Sequence, residues 1–260
     1  MSRADPRSPV IVGVAQASWS GRDAPDPITM MAEVLGAAAS DATADGRVLG
    51  RVQSLAAVES VSRRWADPAA LVAARLGLET TETVRSSLGG DAPMCLLGDI
   101  GTRIADGSID VGAIVGAEAL ATLARAIKAG DEPAGWPELA AGAQPDRVVG
   151  VDRAGSSEQE NAVGLIAPLM MYPLFEQALW ARDGAGLSRE AYQLRLGELA
   201  ARLSAVAASN PYAWSPGPYT AAQIATPSPE NRQVTLPYTK LLNANIQTDQ
   251  AAAVLSLIHI

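Results

Sequence analysis

"IDVGAIVGAEA", Ile109 to Ala119, carries no polar side chain between Asp110 and Glu118. A strand exposed on one face alternates apolar and polar residues; one without alternation is covered on both faces, as in a parallel sheet between helix layers. Upstream, "PVIVGVA" (Pro9 to Ala15), "SLAAVESV" (Ser54 to Val61) and "TETVRSS" are further strand candidates, and "AAAVLSL" (Ala251 to Leu257) returns to strand character near the end. Helices alternate with them. Asp26 and Pro27 open one whose apolar face is Met30, Met31, Val34, Leu35 and Ala38. Asp67 and Pro68 open another, which Gly77 closes. A third carries Leu96, Leu97, Ile100 and Ile104 and ends at Gly107. Strands alternating with helices imply right-handed crossovers, so the expected fold class is α/β, a mostly parallel sheet flanked by helices.

The pattern changes after about Lys128. A Gly/Pro/Ala-rich stretch leads into two helices, "LMMYPLFEQALWARDG" and "SREAYQLRLGELAARLSAVAASN". The second starts at Ser188, with Leu194, Leu196, Leu199, Leu203 and Val206 as its expected apolar stripe. The organisation expected is an α/β part (1–128), a helical and loop insertion (129–232), and a returning strand with an atypical tail (233–260).

Composition narrows the chemistry. The chain has 260 residues, 48% of them hydrophobic but only 4% aromatic, so a core must come mostly from Ala, Val, Leu and Ile. A net charge of -8 without a basic cluster argues against nucleic acid as a partner. No apolar stretch reaches membrane-spanning length, and the apolar run near the start is too short for a signal peptide, which points to a cytoplasmic protein. Cys95 is the single cysteine and His259 the single histidine, so no internal disulfide is available, and a His/Cys metal site or a Ser-His-Asp triad is not expected.

"RSSLGGDAPMCLLGDIG" (Arg85 to Gly101) runs from a strand into a helix. A helix start favours negative charge, which would suit a thiolate at Cys95. With no histidine nearby and an apolar "MCLL" run, the favoured reading is a small buried core residue. Gly89 and Gly90 either bring backbone N–H groups close to an anionic oxygen or form a tight turn with positive φ, the turn being favoured. Asn243 and Asn245 are equally suited to hydrogen-bonding a ligand amide or carbonyl and to tying down a loop. Tyr212 and Trp214 suit either a ligand cover or an anchor for their long loop.

At "ADGSIDVGAIVGAEA" the sequence resembles the thiolase superfamily, through Gly107, Asp110, Gly116 and Glu118. "NPYA" (Asn210 to Ala213), the loop after it and "DQAAAVL" (Asp249 to Leu255) resemble the sterol-carrier-protein type of thiolase, and "VIVGVAQ" fits as well. The resemblance implies two similar α/β halves. The first bears a nucleophilic cysteine and a loop domain covering coenzyme A; the second bears a "GHP"-like histidine and an acid/base cysteine. This chain corresponds to the first half and its loop domain, so residues 129–232 take the place of the coenzyme A cover. The family's nucleophile slot falls at Gly90 or Asp91. The implied function is a thiolase-family acyl-CoA acyltransferase of lipid metabolism, similar to acetyl-CoA acetyltransferases, that lacks the usual nucleophilic cysteine. A non-catalytic acyl-CoA-binding or scaffold protein is the alternative. A coenzyme A thioester would be the substrate, with no bound cofactor. The expected partners are acyl-CoA and either a second copy or a missing C-terminal half.

Overall fold

The computed structural model describes residues 6–79, 82–136, 144–184 and 186–258. The chain divides into two compact units, Met1–Asp152 with Ile246–Ile260, and Arg153–Asn245.

The first unit holds six strands among its described residues: β1 (Pro9–Ser18), β2 (Ser54–Ala57), β3 (Glu82–Ser86), β4 (Val111–Ala119), β5 (Arg147–Val149) and β6 (Asp249–Ile258). They form one sheet in the order β1-β6-β4-β2-β3-β5. β4, β2, β3 and β5 pair in parallel, whereas β6 runs antiparallel to both β1 and β4. The sheet is therefore mixed, with one strand opposed to the other five. β6 enters after the whole second unit, so no single crossover helix fixes its direction. β4 has the expected burial, every residue buried except half-buried Gly116 and Glu118. β1 differs: it is an edge strand with Ile11 and Val14 more than half exposed.

One face of the sheet is covered by α1 (Pro27–Ala42) and α2 (Pro68–Leu76). Asp26 and Asp67 cap them by accepting from the N–H groups of Thr29 and Ala70. Met30, Met31, Leu35 and Ala38 are fully buried, each large side chain contributing on the order of 1.5–3 kcal/mol. α1 lies so close to β1 that a Cβ on Gly13 would run into the Ala38 carbonyl oxygen. The other face is covered by α3 (Ala92–Asp106), which buries Ala92, Leu96, Ile100 and Ile104 at a spacing of four. A Cβ on Gly112 would stand 2.7 Å from Ile100 Cγ2, so this contact too needs glycine.

Among the elements not foreseen from the sequence are α4 (Leu120–Ala129), directly after β4, and the three-residue strand β5. Polar side chains tie both into place, buried ones at α4 and part-buried ones at β5. Asp249, with no exposed surface, accepts from Ala121 N at 2.8 Å, Thr122 N at 3.0 Å and Thr122 Oγ1 at 2.9 Å, and meets Arg125 Nη2 at 3.2 Å. It caps α4 from a strand 127 residues away. Arg147 of β5 pairs in bidentate fashion with Asp99 of α3, at 2.5 and 3.1 Å, and donates to Glu82 at 2.8 Å. Glu82 also receives Ser54 Oγ at 2.8 Å and Arg103 Nη1.

The second unit contains α5 (Glu158–Ala162), α6 (Pro168–Asp183), α7 (Arg189–Ala207) and α8 (Ala221–Ala225). Ser188 caps α7 as expected, but the expected apolar stripe does not face a core. Leu194, Leu199, Leu203 and Val206 are 41–70% exposed, and Tyr192, Gln193 and Gly197 are the buried positions. The reason is local packing. α8 approaches α7 so closely that a Cβ on Gly197 would stand 2.5 Å from the Ala221 carbonyl oxygen, and Gln193 Nε2 donates to the Ala225 carbonyl at 2.7 Å. Glu176 of α6 accepts from Tyr192 OH at 2.6 Å and Tyr238 OH at 2.5 Å. Asn231 joins the following loop, donating to the Gln223 and Ile224 carbonyls at 2.9 Å and accepting from Leu241 N. No described helix is long and apolar enough to cross a membrane.

Candidate functional site

In sheets of this kind, ligands bind beyond the carboxyl ends of parallel strands, where loops diverge. Here those ends are Ala57 of β2, Ser86 of β3 and Ala119 of β4. The β3–α3 turn holds Gly89, Gly90, Asp91 and Cys95 together, and all four are exposed. Neither glycine has positive φ, so the turn does not need glycine for its backbone conformation. Gly90 has open space where a Cβ would be, while a Cβ on Gly89 would meet Asp91 Oδ1 at 2.6 Å. The turn is clamped from β5: Ser87 N donates to the Val149 carbonyl at 2.8 Å and Leu88 N to Asp152 Oδ1 at 3.2 Å.

Asp91 is the cap residue of α3, but its side chain makes no capping hydrogen bond; its carbonyl accepts from Met94 N and Cys95 N, each at 3.0 Å. Cys95 is not the core residue expected. The buried face of α3 runs through Leu96 and Ile100, and Cys95 is rotated off it into solvent beside the 68% exposed Met94. Its Sγ lies 3.8 Å from Asp91 Oδ2. His259, the only histidine, lies outside the described residues. Among the described residues no group of three or more His, Cys, Asp or Glu side chains could hold a metal ion.

The loop after β2 borders the same strand ends. Glu118 accepts from Val61 N at 2.5 Å and Ser62 N at 2.9 Å, and Ser60 Oγ donates to the Ala117 carbonyl at 2.8 Å. A Cβ on Gly116 would crowd Val58 at 3.2 Å. Gly107 takes φ 87° to close α3, and Asp110 pairs with Arg7 at 3.3 Å. The four residues that carry the family resemblance thus shape the ends of α3 and β4. The sequence reading missed Glu59. Its side chain is almost fully buried, 3.2 Å from Arg85 Nη1 and 4.0 Å from Arg64 Nε, and its N–H donates to Ser86 Oγ at 2.9 Å. Burial pushes its carboxyl above the ordinary range, and the two arginines only partly offset this. A lone glutamate in "AVESV" gives no periodic signal that could have singled it out.

Asn243 and Asn245 belong to the second unit. Asn243 Nδ2 donates to the Thr239 carbonyl at 2.8 Å, closing a short 3-10 turn, and Asn245 is exposed. Tyr212 is 39% exposed, and its N–H donates to Asn210 Oδ1 at 3.0 Å. Within this unit, α6 and α7 border an open groove of about 370 Å3, lined by Leu179, Tyr192, Leu196 and Leu199 with Asp183, Arg195, Glu198 and Arg202.

Solved structures share this architecture over nearly the whole chain. A monomeric SCP2-thiolase like protein from Mycobacterium smegmatis is 29% identical, with a TM-score of 0.75 over 99% of this chain and 47% of its own. The dimeric peroxisomal thiolase of Saccharomyces cerevisiae matches with a TM-score of 0.61 at 17% identity, over 99% of this chain and 66% of its own. The chain belongs to the thiolase superfamily. An Ltp2-ChsH2(DUF35) aldolase shares the fold at 19% identity and a TM-score of 0.65, over 97% of this chain and 56% of its own. This thiolase-superfamily chain spans about half the length of the M. smegmatis protein. No family model and no curated protein sequence matches it.

Proposed function

We propose that this chain is the acyl-CoA-binding part of a thiolase-family protein, an acetyl-CoA acetyltransferase by descent, whose β3–α3 turn has lost the thiol chemistry. One observation carries the proposal: the turn presents Gly89, Gly90 and Asp91, and the nearest thiol, Cys95, sits about a helical turn further on beside a carboxylate.

Acyl transfer through cysteine needs a thiolate to attack the thioester carbonyl. The C–S bond to coenzyme A then breaks and the leaving thiolate departs, while a base takes the cysteine proton. Asp91 places negative charge next to Cys95 and supplies no cation to support a thiolate. The exposed backbone at Gly89 and Gly90 is suited to hydrogen-bonding a thioester oxygen, a binding role that needs no nucleophile. An acyltransferase active through a different nucleophile is the second reading. Asp91 favours it, since it occupies the slot itself.

Titration calorimetry with acetyl-CoA, alongside an assay of acetoacetyl-CoA thiolysis, tests the proposal. Saturable acetyl-CoA binding without turnover is expected. Turnover above a protein-free blank, or no binding of either thioester, would contradict it.

A further inference from the structure

We propose that the loop joining β2 to α2, residues 58–67, forms with Arg85 of β3 a binding site for an oxyanion of the phosphate class. This goes beyond the acyl-CoA reading and does not depend on it.

The signal is a surplus of buried donors. Among the described residues five buried side-chain polar atoms have no hydrogen-bond partner, and every one of them can donate: Ser18 Oγ, Arg63 Nε, Trp65 Nε1, Arg85 Nε and Trp136 Nε1. Three of the five belong to this loop or to Arg85, which the loop's Glu59 contacts at 3.2 Å. A buried donor without an acceptor is rare in a folded chain, and a bound ion is one way to match it. Trp65 is 4% exposed. Arg63 and Arg85 are half-buried, and no acidic side chain pairs with Arg63 among the described residues. Arg64 is exposed, and its Nε lies 4.0 Å from Glu59, too far for a hydrogen bond, which leaves its donors for a ligand. The loop is held on both sides of these residues. Val58 N donates to the Val115 carbonyl at 2.8 Å, Ser62 Oγ accepts from Ala119 N at 3.2 Å, and Asp67 accepts from Thr83 Oγ1 at 2.8 Å. Little ordering is left to be done on binding.

The chemistry selects an oxyanion. The loop and Arg85 carry three guanidinium groups against one contacting carboxylate, Glu59. Glu118 and Asp152, the other acids within electrostatic reach of Glu59, are already held by backbone N–H groups, Glu118 by Val61 and Ser62, Asp152 by Leu88. A neutral acceptor would satisfy the N–H groups but not the charge of Arg63. A phosphate group brings negative charge and three strong acceptor oxygens, which guanidinium forks match in pairs. The site lies at the carboxyl ends of β2 and β3, where ligands bind in sheets of this kind.

Calorimetric titration of the whole chain with inorganic phosphate, at an ionic strength held constant with chloride, tests the proposal. Saturable binding is expected. Arg63→Gln and Arg64→Gln should each weaken it about tenfold or more, as loss of a charged hydrogen bond does. Circular dichroism should not change, because neither arginine gives up a hydrogen bond within the chain. Arg195→Gln, on α7, should bind phosphate as the wild type does. Titrations with coenzyme A and with pantetheine, which lacks the phosphates, identify the source of the group. Coenzyme A binding that weakens in the two loop variants, with pantetheine binding unchanged, would assign a coenzyme A phosphate to the site. Coenzyme A binding that ignores the variants while phosphate binding weakens would make free phosphate the ligand. The proposal is overturned if neither phosphate nor coenzyme A binding depends on Arg63 or Arg64, or if Arg195→Gln weakens phosphate binding as much as they do.

Discussion

Asp249, at the start of β6, receives both the backbone N–H and the hydroxyl of Thr122, and this pair joins the last strand to the helix that leaves β4. Asp249→Ala would leave two helix N–H groups and the Thr122 hydroxyl without their acceptor in a buried place, while Arg125, half exposed, keeps Asp23 and the Arg22 carbonyl. Removing one member of such a group costs about 3–5 kcal/mol. For a unit of this size that is roughly 6–20 °C in Tm. Asp249→Asn, which keeps one acceptor oxygen, should lose less. Thermal melts of both variants check the order, and equal melting of Asp249→Ala and the wild type would contradict it.

Glycine is needed at Gly13 and not at Gly90. A methyl group at Gly13 must push α1 off β1, while Gly90 has open space and an ordinary φ. Gly13→Ala should therefore cost on the order of 1–3 kcal/mol, as overpacking does. Gly90→Ala should stay within about 0.5 kcal/mol of the wild type. Urea titration separates the two, and a large loss at Gly90 would restore the strained-turn reading.

The sheet was largely readable from sequence, and the reasons are physical. β4, α1 and α3 declare themselves through uninterrupted apolar runs, Asp-Pro starts and four-residue spacing. β5 is three residues long, too short for any period, and is held by Arg147 through side chains distant in sequence. The α7 stripe misled because periodicity marks an apolar face without saying what covers it. Cys95 misled in a related way: its neighbours in "MCLL" are apolar, but a 100° step per residue turns it away from the face that Leu96 buries. Glu59 and the clamp from Asp152 to Leu88 bring together residues from separate loops, which no local pattern records.

Two carboxylates should bend the pH dependence of stability in opposite directions. Burial alone would raise Glu82, but hydrogen bonds from Ser54, Arg103 and Arg147 outweigh it and hold its carboxyl below the ordinary range. Its contribution is present above the unfolded value of about 4.3 and is lost as pH falls through the lower folded value. Glu59 is shifted upward by burial, so stability falls as pH rises from the unfolded value through the raised folded one. In urea melts from acid to neutral pH, Glu82→Gln should lose most at neutral pH and approach the wild type in acid. Glu59→Gln should flatten the decline on rising pH. A Glu82→Gln deficit that is the same at every pH would contradict the first assignment.

The Tyr192–Glu176–Tyr238 bridge should be visible by spectroscopy. Burial, reinforced by the hydrogen bond to Glu176, pushes the Tyr192 phenol up to about 12, and Tyr238 is raised for the same reasons. Glu176→Ala removes the shared acceptor and one of the causes. In an ultraviolet titration, the high-pH end of the tyrosine ionisation curve, which Tyr192 and Tyr238 make up, should move to lower pH in the variant. An unchanged titration curve would mean that Glu176 does not hold the two phenols.

Whether this thiolase-superfamily chain forms an acyl-enzyme is the most direct question. The purified protein is incubated with acetyl-CoA, quenched in acid and weighed intact, beside Cys95→Ser and Asp91→Asn. The arrangement of Gly90, Asp91 and Cys95 predicts that each of the three proteins keeps its own unmodified mass. A gain of one acetyl group that disappears in Cys95→Ser would show that the exposed thiol is the nucleophile, and one that disappears in Asp91→Asn would assign that role to Asp91; either would contradict the loss of covalent chemistry at this turn.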